Sequence, residues 1–167
     1  MKPSDRLMEE VIQEVAGEDV LPLVNVLKNR KNVSEFKLAE DIKQEINTTR
    51  NMLYRLYDAN LVSFTRKKDK KKGWYIYYWT FNDKNINHLF KQIRNKKLIK
   101  LKERLEREKN NHFFSCENKC MRLDFEQASE FEFKCPECGS LMNEEDNAKN
   151  IAEIEKEIKE LEKDLKS

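Results

Sequence analysis

The sequence predicts a mainly α-helical protein with small β elements, and three observations carry that prediction. Gly and Pro number only 3 each among 167 residues, so little interrupts helices. Apolar residues recur at spacings of three and four along most of the chain. Alternating β-rich runs are confined to two places, residues 61–81 and 121–133. Charged residues make up 38% of the chain, against about 25% in an average globular protein. Their sign is uneven: residues 1–110 carry 25 Lys and Arg against 16 Asp and Glu, and the rest of the chain carries 8 against 15. A basic front suits nucleic acid or an acidic protein surface. No run of about 18 apolar residues exists to span a membrane. The start of the chain, Met1 to Asp5, lacks the apolar core of a signal peptide. A cytoplasmic, nucleoid-associated protein is the expectation.

The first helix is expected over Asp5–Ala16, with Leu7, Met8, Val11, Ile12 and Val15 at helical spacing, Ser4 as N-cap and Gly17 closing it. A second follows Asp19. Pro22 falls in its first turn, and apolar residues on most sides mark it as buried. Ser34 caps a third helix with Phe36, Leu38, Ala39 and Ile42 inward. Asn47 caps a fourth, from Thr48 to about Ala59, with Met52, Leu53, Leu56 and Tyr57 inward and Asn60 in the left-handed closing position. Leu61 to Thr65 and Trp74 to Phe81 are β-rich runs around a charged tip at residues 66–73, which reads as a hairpin. Three helices with a turn between the last two, followed by a hairpin, make a winged helix-turn-helix. Residues 83–110 contain no Gly or Pro and predict one helix about 40 Å long. Its later half, Lys100 to Lys109, is mostly charged and reads as a solvated, stiff spacer. Beyond residue 150, Ile151, Ile154, Ile158, Leu161 and Leu165 form a heptad seam that needs a partner surface.

Four cysteines lie between these last two helices. Cys116/Cys120 and Cys135/Cys138 are two close pairs separated by 14 residues. Four thiolates suit one tetrahedral Zn²⁺, and a shell filled by protein makes the ion structural rather than catalytic. Disulfides or free thiols are the bland alternative, and an iron–sulfur cluster fits the spacing less well. Met121, Leu123 and Phe125 alternate, as do Phe131 and Phe133, around a polar tip at Gln127-Ala128-Ser129. The pairs would therefore sit at the ends of a β-hairpin, as in a zinc ribbon. His112 reads as a surface residue, since the shell is complete without it. The expected organisation is a winged helix-turn-helix domain over 1–82, a linker helix over 83–111, a zinc ribbon over 112–142 and a C-terminal amphipathic helix over 143–167.

Arg66, Lys67, Lys68, Lys70, Lys71 and Lys72 surround a single Asp69, beside Trp74 and Tyr75. Cations attract phosphate through counterion release, and aromatic rings stack on unpaired bases. Period-two alternation puts Trp74, Ile76 and Tyr78 on one face and Tyr75, Tyr77 and Trp79 on the other. A solvated charge run over an aromatic core is the plainer reading. The fourth helix would offer Thr49, Arg50, Tyr54, Arg55 and Asp58 outward; Arg50 and Arg55 suffice for phosphate contact and little base readout. No phosphate-binding Gly-rich loop, Ser/His/Asp set or open metal site suggests an enzyme or a small-molecule substrate.

The segment Asn51 to Val62, the aromatic strand Trp74 to Trp79 and the two cysteine pairs, in this order and spacing, resemble archaeal transcription factor E, the counterpart of the α-subunit of general transcription factor IIE. The richness in Lys, Asn and Ile also looks archaeal. The resemblance covers nearly the whole chain. It implies a basal initiation factor that binds RNA polymerase and helps melt promoter DNA. It also implies a winged helix on the polymerase clamp, the wing near the single-stranded non-template strand, the ribbon toward the clamp base and stalk, and TATA-binding protein as a further candidate partner. A rival reading is a dimeric winged-helix repressor with a metal- or redox-responsive cysteine cluster. A third is a scaffold whose wing touches no nucleic acid.

Overall fold

A serine cap opens the first helix where the sequence places it. The computed structural model describes residues 3–166, and the chain divides into two compact units between Gln92 and Ile93. In the first unit α1 spans Asp5–Ala16, and the Ser4 hydroxyl accepts from the Leu7 N–H at 3.3 Å. Gly17 follows at φ 99°, where a Cβ would meet Asp19 Oδ1 at 2.8 Å, so only glycine turns the chain here without strain. After a single 3₁₀ turn, α2 spans Leu21–Leu27 with Leu23, Val24 and Leu27 buried, while Pro22 and Asn25 face water. A two-residue strand, β1 (Val33–Ser34), precedes α3 (Glu35–Ile42), and Ser34 caps α3 by accepting from the Lys37 N–H at 3.2 Å.

The structure corrects four expectations in this region. Phe36 is 45% exposed, and Glu35 is buried in its place at 2%. In a helix of only eight residues, the face toward the core is set by Glu35, Leu38 and Ala39, which leaves Phe36 about 100° off it. The next helix, α4 (Ile46–Asp58), starts before Asn47 rather than after it. Lys43 ends α3 in the left-handed region at φ 55°, and the Thr49 N–H already bonds the Glu45 carbonyl at 3.0 Å, so the turn is shorter than expected. Thr49 consequently faces inward, fully buried, and its hydroxyl donates to the same carbonyl at 3.0 Å, whereas Tyr57 is 46% exposed. Asn60 closes α4 at φ 57°.

The hairpin is β2 (Val62–Lys68) and β3 (Tyr75–Phe81), in antiparallel register from Val62 opposite Phe81 to Lys68 opposite Tyr75. β1 pairs with the other edge of β3, giving the sheet order β1-β3-β2. Trp79, Leu53, Leu56, Leu61, Leu38 and Ile12 are all buried to within 1% of full and centre the core that the helices and sheet share.

The helix α5 spans Asn85–Asn110, so it begins in the first unit and ends in the second. Its later half is not a solvated spacer. Leu101 packs with Ile154, Ile158 and Leu161 of α7 (Ala148–Lys166), flanked by Leu98 and Leu105. Lys97–Glu157, Lys102–Glu162 and Lys109–Glu155 ion pairs of 2.6–2.7 Å border this seam. The sparse leucines of α5 escape a reading of charge density, yet they supply the surface that the heptad seam of α7 requires.

Between these helices lies a second three-stranded sheet, β4 (Phe113–Cys116), β5 (Arg122–Asp124) and β6 (Met142–Glu145), in the order β5-β4-β6. The expected hairpin over 121–133 is replaced by β5 and a short helix, α6 (Phe125–Glu130). Asp124 and Gln127 form a capping box, with the Asp124 carboxylate accepting from the Gln127 N–H at 2.9 Å. The polar residues expected as a strand tip therefore start and fill a helix. The third strand runs over Met142–Glu145, so residues 143–145, expected with the C-terminal helix, belong to this sheet instead.

Candidate metal centre and nucleic-acid interface

The four cysteine sulfurs lie within 4.8 Å of one another. A tetrahedral ion with Zn–S bonds of about 2.3 Å separates its sulfurs by about 3.8 Å, and Cys116 Sγ lies 3.3 Å from Cys138 Sγ. The donor set and its spacing fit one zinc ion with no further ligand required. Both pairs sit in loops closed alike: the Cys116 N–H donates to the Met121 carbonyl at 3.2 Å, and the Cys135 N–H to the Ser140 carbonyl at 2.8 Å. The first loop holds three residues between its cysteines and the second holds two. Lys119 (φ 55°) precedes the second cysteine of its loop, whereas Gly139 (φ 73°) follows its own. The extra residue is thus absorbed by moving the left-handed position, and the closure is kept.

Cys116, Cys135 and Met142 are buried together, with Phe114, Met121 and Leu123 against them. Hydrogen bonds from the Ser140 hydroxyl and the Asn118 amide draw the Cys138 thiol down to about 5. Hydrogen bonding with Cys138, reinforced by burial, pushes the Cys120 thiol up to about 12. His112 stands outside the cluster, with Nδ1 2.8 Å from Glu144 Oε1.

A buried polar network ties this sheet to α5. Glu108 is 4% exposed. Arg122 of β5 donates to both its oxygens at 2.8 and 2.9 Å and to Glu145 at 3.1 Å, and its guanidinium lies 3.9 Å from the Phe113 ring centroid. Asn147 donates to the Glu108 backbone carbonyl and side chain at 2.7 and 3.0 Å. The Arg122 hydrogen bonds hold the Glu108 carboxyl below the ordinary carboxylate range.

In the first unit, the register places Arg66, Lys67 and Lys68 inside β2, opposite Tyr77, Ile76 and Tyr75. The turn proper is Asp69 to Trp74. Asp69 Oδ1 accepts from the Lys71 and Lys72 N–H groups at 2.7 and 3.0 Å, which lowers its carboxyl and orders a turn otherwise made of cations. Lys70, Lys71 and Lys72 are exposed. Directly opposed residues share a face, so Phe64, Arg66 and Lys68 lie with Trp79, Tyr77 and Tyr75. Exposure is graded along that face, from Trp79 at 1% to Tyr75 at 51%. The Arg66 guanidinium lies 4.9 Å from the Tyr75 ring centroid, Lys72 Nζ 5.2 Å from that of Trp74 and Lys67 Nζ 5.7 Å from that of Tyr78. Phe64 and Tyr57 extend the aromatic surface, their centroids 5.4 Å apart. Sequence reasoning missed both; alternation on β2 would have placed Phe64.

Arg50 and Arg55 are engaged within the fold. Arg50 donates to both oxygens of buried Glu35 at 2.8 and 3.1 Å, with its guanidinium 5.8 Å from the Phe36 ring centroid. Arg55 donates to the Ala16 carbonyl at 2.6 Å and forms a two-nitrogen ion pair with Asp19. The fourth helix thus offers little free positive charge to a base edge.

Fold and site together define a winged-helix protein with four cysteines clustered so that they could hold one metal ion. Residues 6–110 match the sequence model of the TFIIE alpha subunit. The chain is 38% identical to transcription factor E of Metallosphaera sedula over 162 residues, covering 96% of this chain and 92% of that one. With transcription factor E of Methanocaldococcus jannaschii it shares 35% over 166 residues, covering 98% and 96%. A solved structure described as a possible transcriptional regulator from Methanosarcina mazei Go1 shares the fold, with a TM-score of 0.51 at 17% identity, over 59% of this chain and 86% of that one. The chain belongs to the family of transcription factor E and the TFIIE alpha subunit. This is a family of transcription initiation factors, not of enzymes. Among the described residues, no helix is long and apolar enough to cross a membrane.

Proposed function

We propose that this chain binds RNA polymerase, at its clamp and stalk, and stabilises promoter DNA in the melted state, with the wing beside the non-template strand and one structural zinc ion held by Cys116, Cys120, Cys135 and Cys138. The observation that carries the reading is the wing itself, where exposed Trp74 and Tyr75 each lie under a cation. Rings and cations so arranged suit unpaired bases and their phosphates. The ion pairs of Arg50 and Arg55 favour this reading over a duplex-reading repressor. Arg66, Lys67, Lys68, Lys70, Lys71 and Lys72 therefore carry the proposed contact, and the fourth helix contributes little. TATA-binding protein is a further partner consistent with a place at the promoter.

The mechanism is linkage. A factor that binds the melted complex more tightly than the closed one shifts their equilibrium by that difference and consumes no nucleotide. A difference of about 1–3 kcal/mol changes the melted population about 5–150-fold. The test is promoter melting with polymerase on a weak promoter, comparing the natural chain with a Trp74→Ala/Tyr75→Ala variant. Melting should fall several-fold while polymerase binding persists. Unchanged melting by a variant still bound to polymerase would instead identify a scaffold.

A further inference from the structure

The cations over residues 96–109 of α5 fall into two groups. Lys97, Lys102 and Lys109 flank the seam with α7 and are neutralised by Glu157, Glu162 and Glu155. Lys96, Lys100 and Arg107 lie on the side away from that seam and Arg104 at its edge; all four are exposed and form no ion pair among the described residues. Two exposed acidic side chains, Glu103 and Glu106, lie among them, and Arg104 feels the field of Glu108. Lys96, Lys100 and Arg104 repeat at i, i+4, a spacing at which like charges repel and weaken a helix. Helix propensity does not demand this arrangement, since Glu or Gln would serve as well at any of these positions. Exposed Ile99 (59%) sits within the row.

We infer that this outer face of α5 is a track for the phosphate backbone of duplex DNA, separate from the wing. At 1.5 Å per residue the row from Lys96 to Arg107 runs about 16 Å, with cations about every 6 Å over most of it. A straight row of cations on a stiff helix matches a linear polyanion of high charge density. A folded protein's acidic surface offers scattered carboxylates, usually with cations among them. The contact is to phosphates and independent of sequence. It goes beyond the wing reading and does not require it.

The test is binding of the metal-loaded full chain to mixed-sequence duplex DNA, by fluorescence anisotropy across a salt series. Lys96→Gln/Lys100→Gln/Arg107→Gln should reduce the slope of log affinity against log salt by about 0.9 per cation removed, or about 2.7, equally for unrelated sequences. Lys97→Gln/Lys102→Gln, which removes cations already paired with α7, should change the slope by less than one cation's worth. Circular dichroism and metal content verify that each variant is folded. An unchanged slope in the triple variant overturns the proposal, as does a loss confined to single-stranded DNA or to polymerase capture. A wing variant that loses melting yet keeps its duplex slope would leave the track standing, so the two readings fail separately.

Discussion

At the scale of single residues, the informative positions are polar groups that the fold buries with their partners. Glu35 and Glu108 are ordinary helix-surface glutamates by sequence, yet each is at least 96% buried and clasped by an arginine through two hydrogen bonds. Removing one partner of such a pair leaves the other's charge desolvated and unmet. Glu108 also has a pH signature. Hydrogen bonds from Arg122 depress its folded-state pKa, so its contribution is complete above the unfolded value of about 4.3 and is lost as pH falls through the folded value. Glu108→Gln should cost about 2 kcal/mol near neutral pH, read as a lower urea midpoint. The gap from the natural chain should narrow below about pH 4. A gap constant down to about pH 3 would show that the carboxylate's charge plays no part. Such pairings escape the sequence because Glu108 and Arg122 are 14 residues apart, and Glu35 and Arg50 are 15 apart.

At the scale of elements, what was legible divides along locality. The caps Ser4 and Ser34 and the closing residues Gly17 and Asn60 act within a few residues of themselves, and each is where local reasoning puts it. β1 was invisible because two residues carry no period and pair only through the distant Tyr78 and Trp79. The last helix announced a seam without naming its partner, and Leu98, Leu101 and Leu105 were too sparse in a charged run to announce theirs. Ile158→Ala in that seam should cost about 3 kcal/mol and speed amide exchange at residues 98–105 roughly 100-fold. Unchanged protection there would mean that the later half of α5 is stable without α7.

At the scale of the whole molecule, the two units are stabilised by different means. The first has an apolar core of ordinary extent. In the second, the sheet around the cysteines rests on three buried residues, Cys116, Cys135 and Met142, so its order should depend on the metal. Chelation should therefore release one zinc per chain and reduce the circular dichroism signal. The emission of Trp74 and Trp79, the only tryptophans, both in the first unit, should not move. A shifted emission on metal loss would show that the units do not respond independently. The order of the longer helices and the wing hairpin, the pairing of the four cysteines in the sequence, the basic and aromatic character of the wing and the family were all readable from the chain alone. Each of these is a property of spacing and composition in one dimension. Folding was needed to reveal that Arg50 and Arg55 are consumed by ion pairs, that the aromatic face grades from core to solvent, and that α5 has one neutralised side and one bare side. Those outcomes depend on which distant residues meet, and a linear pattern does not encode the partner of a charge.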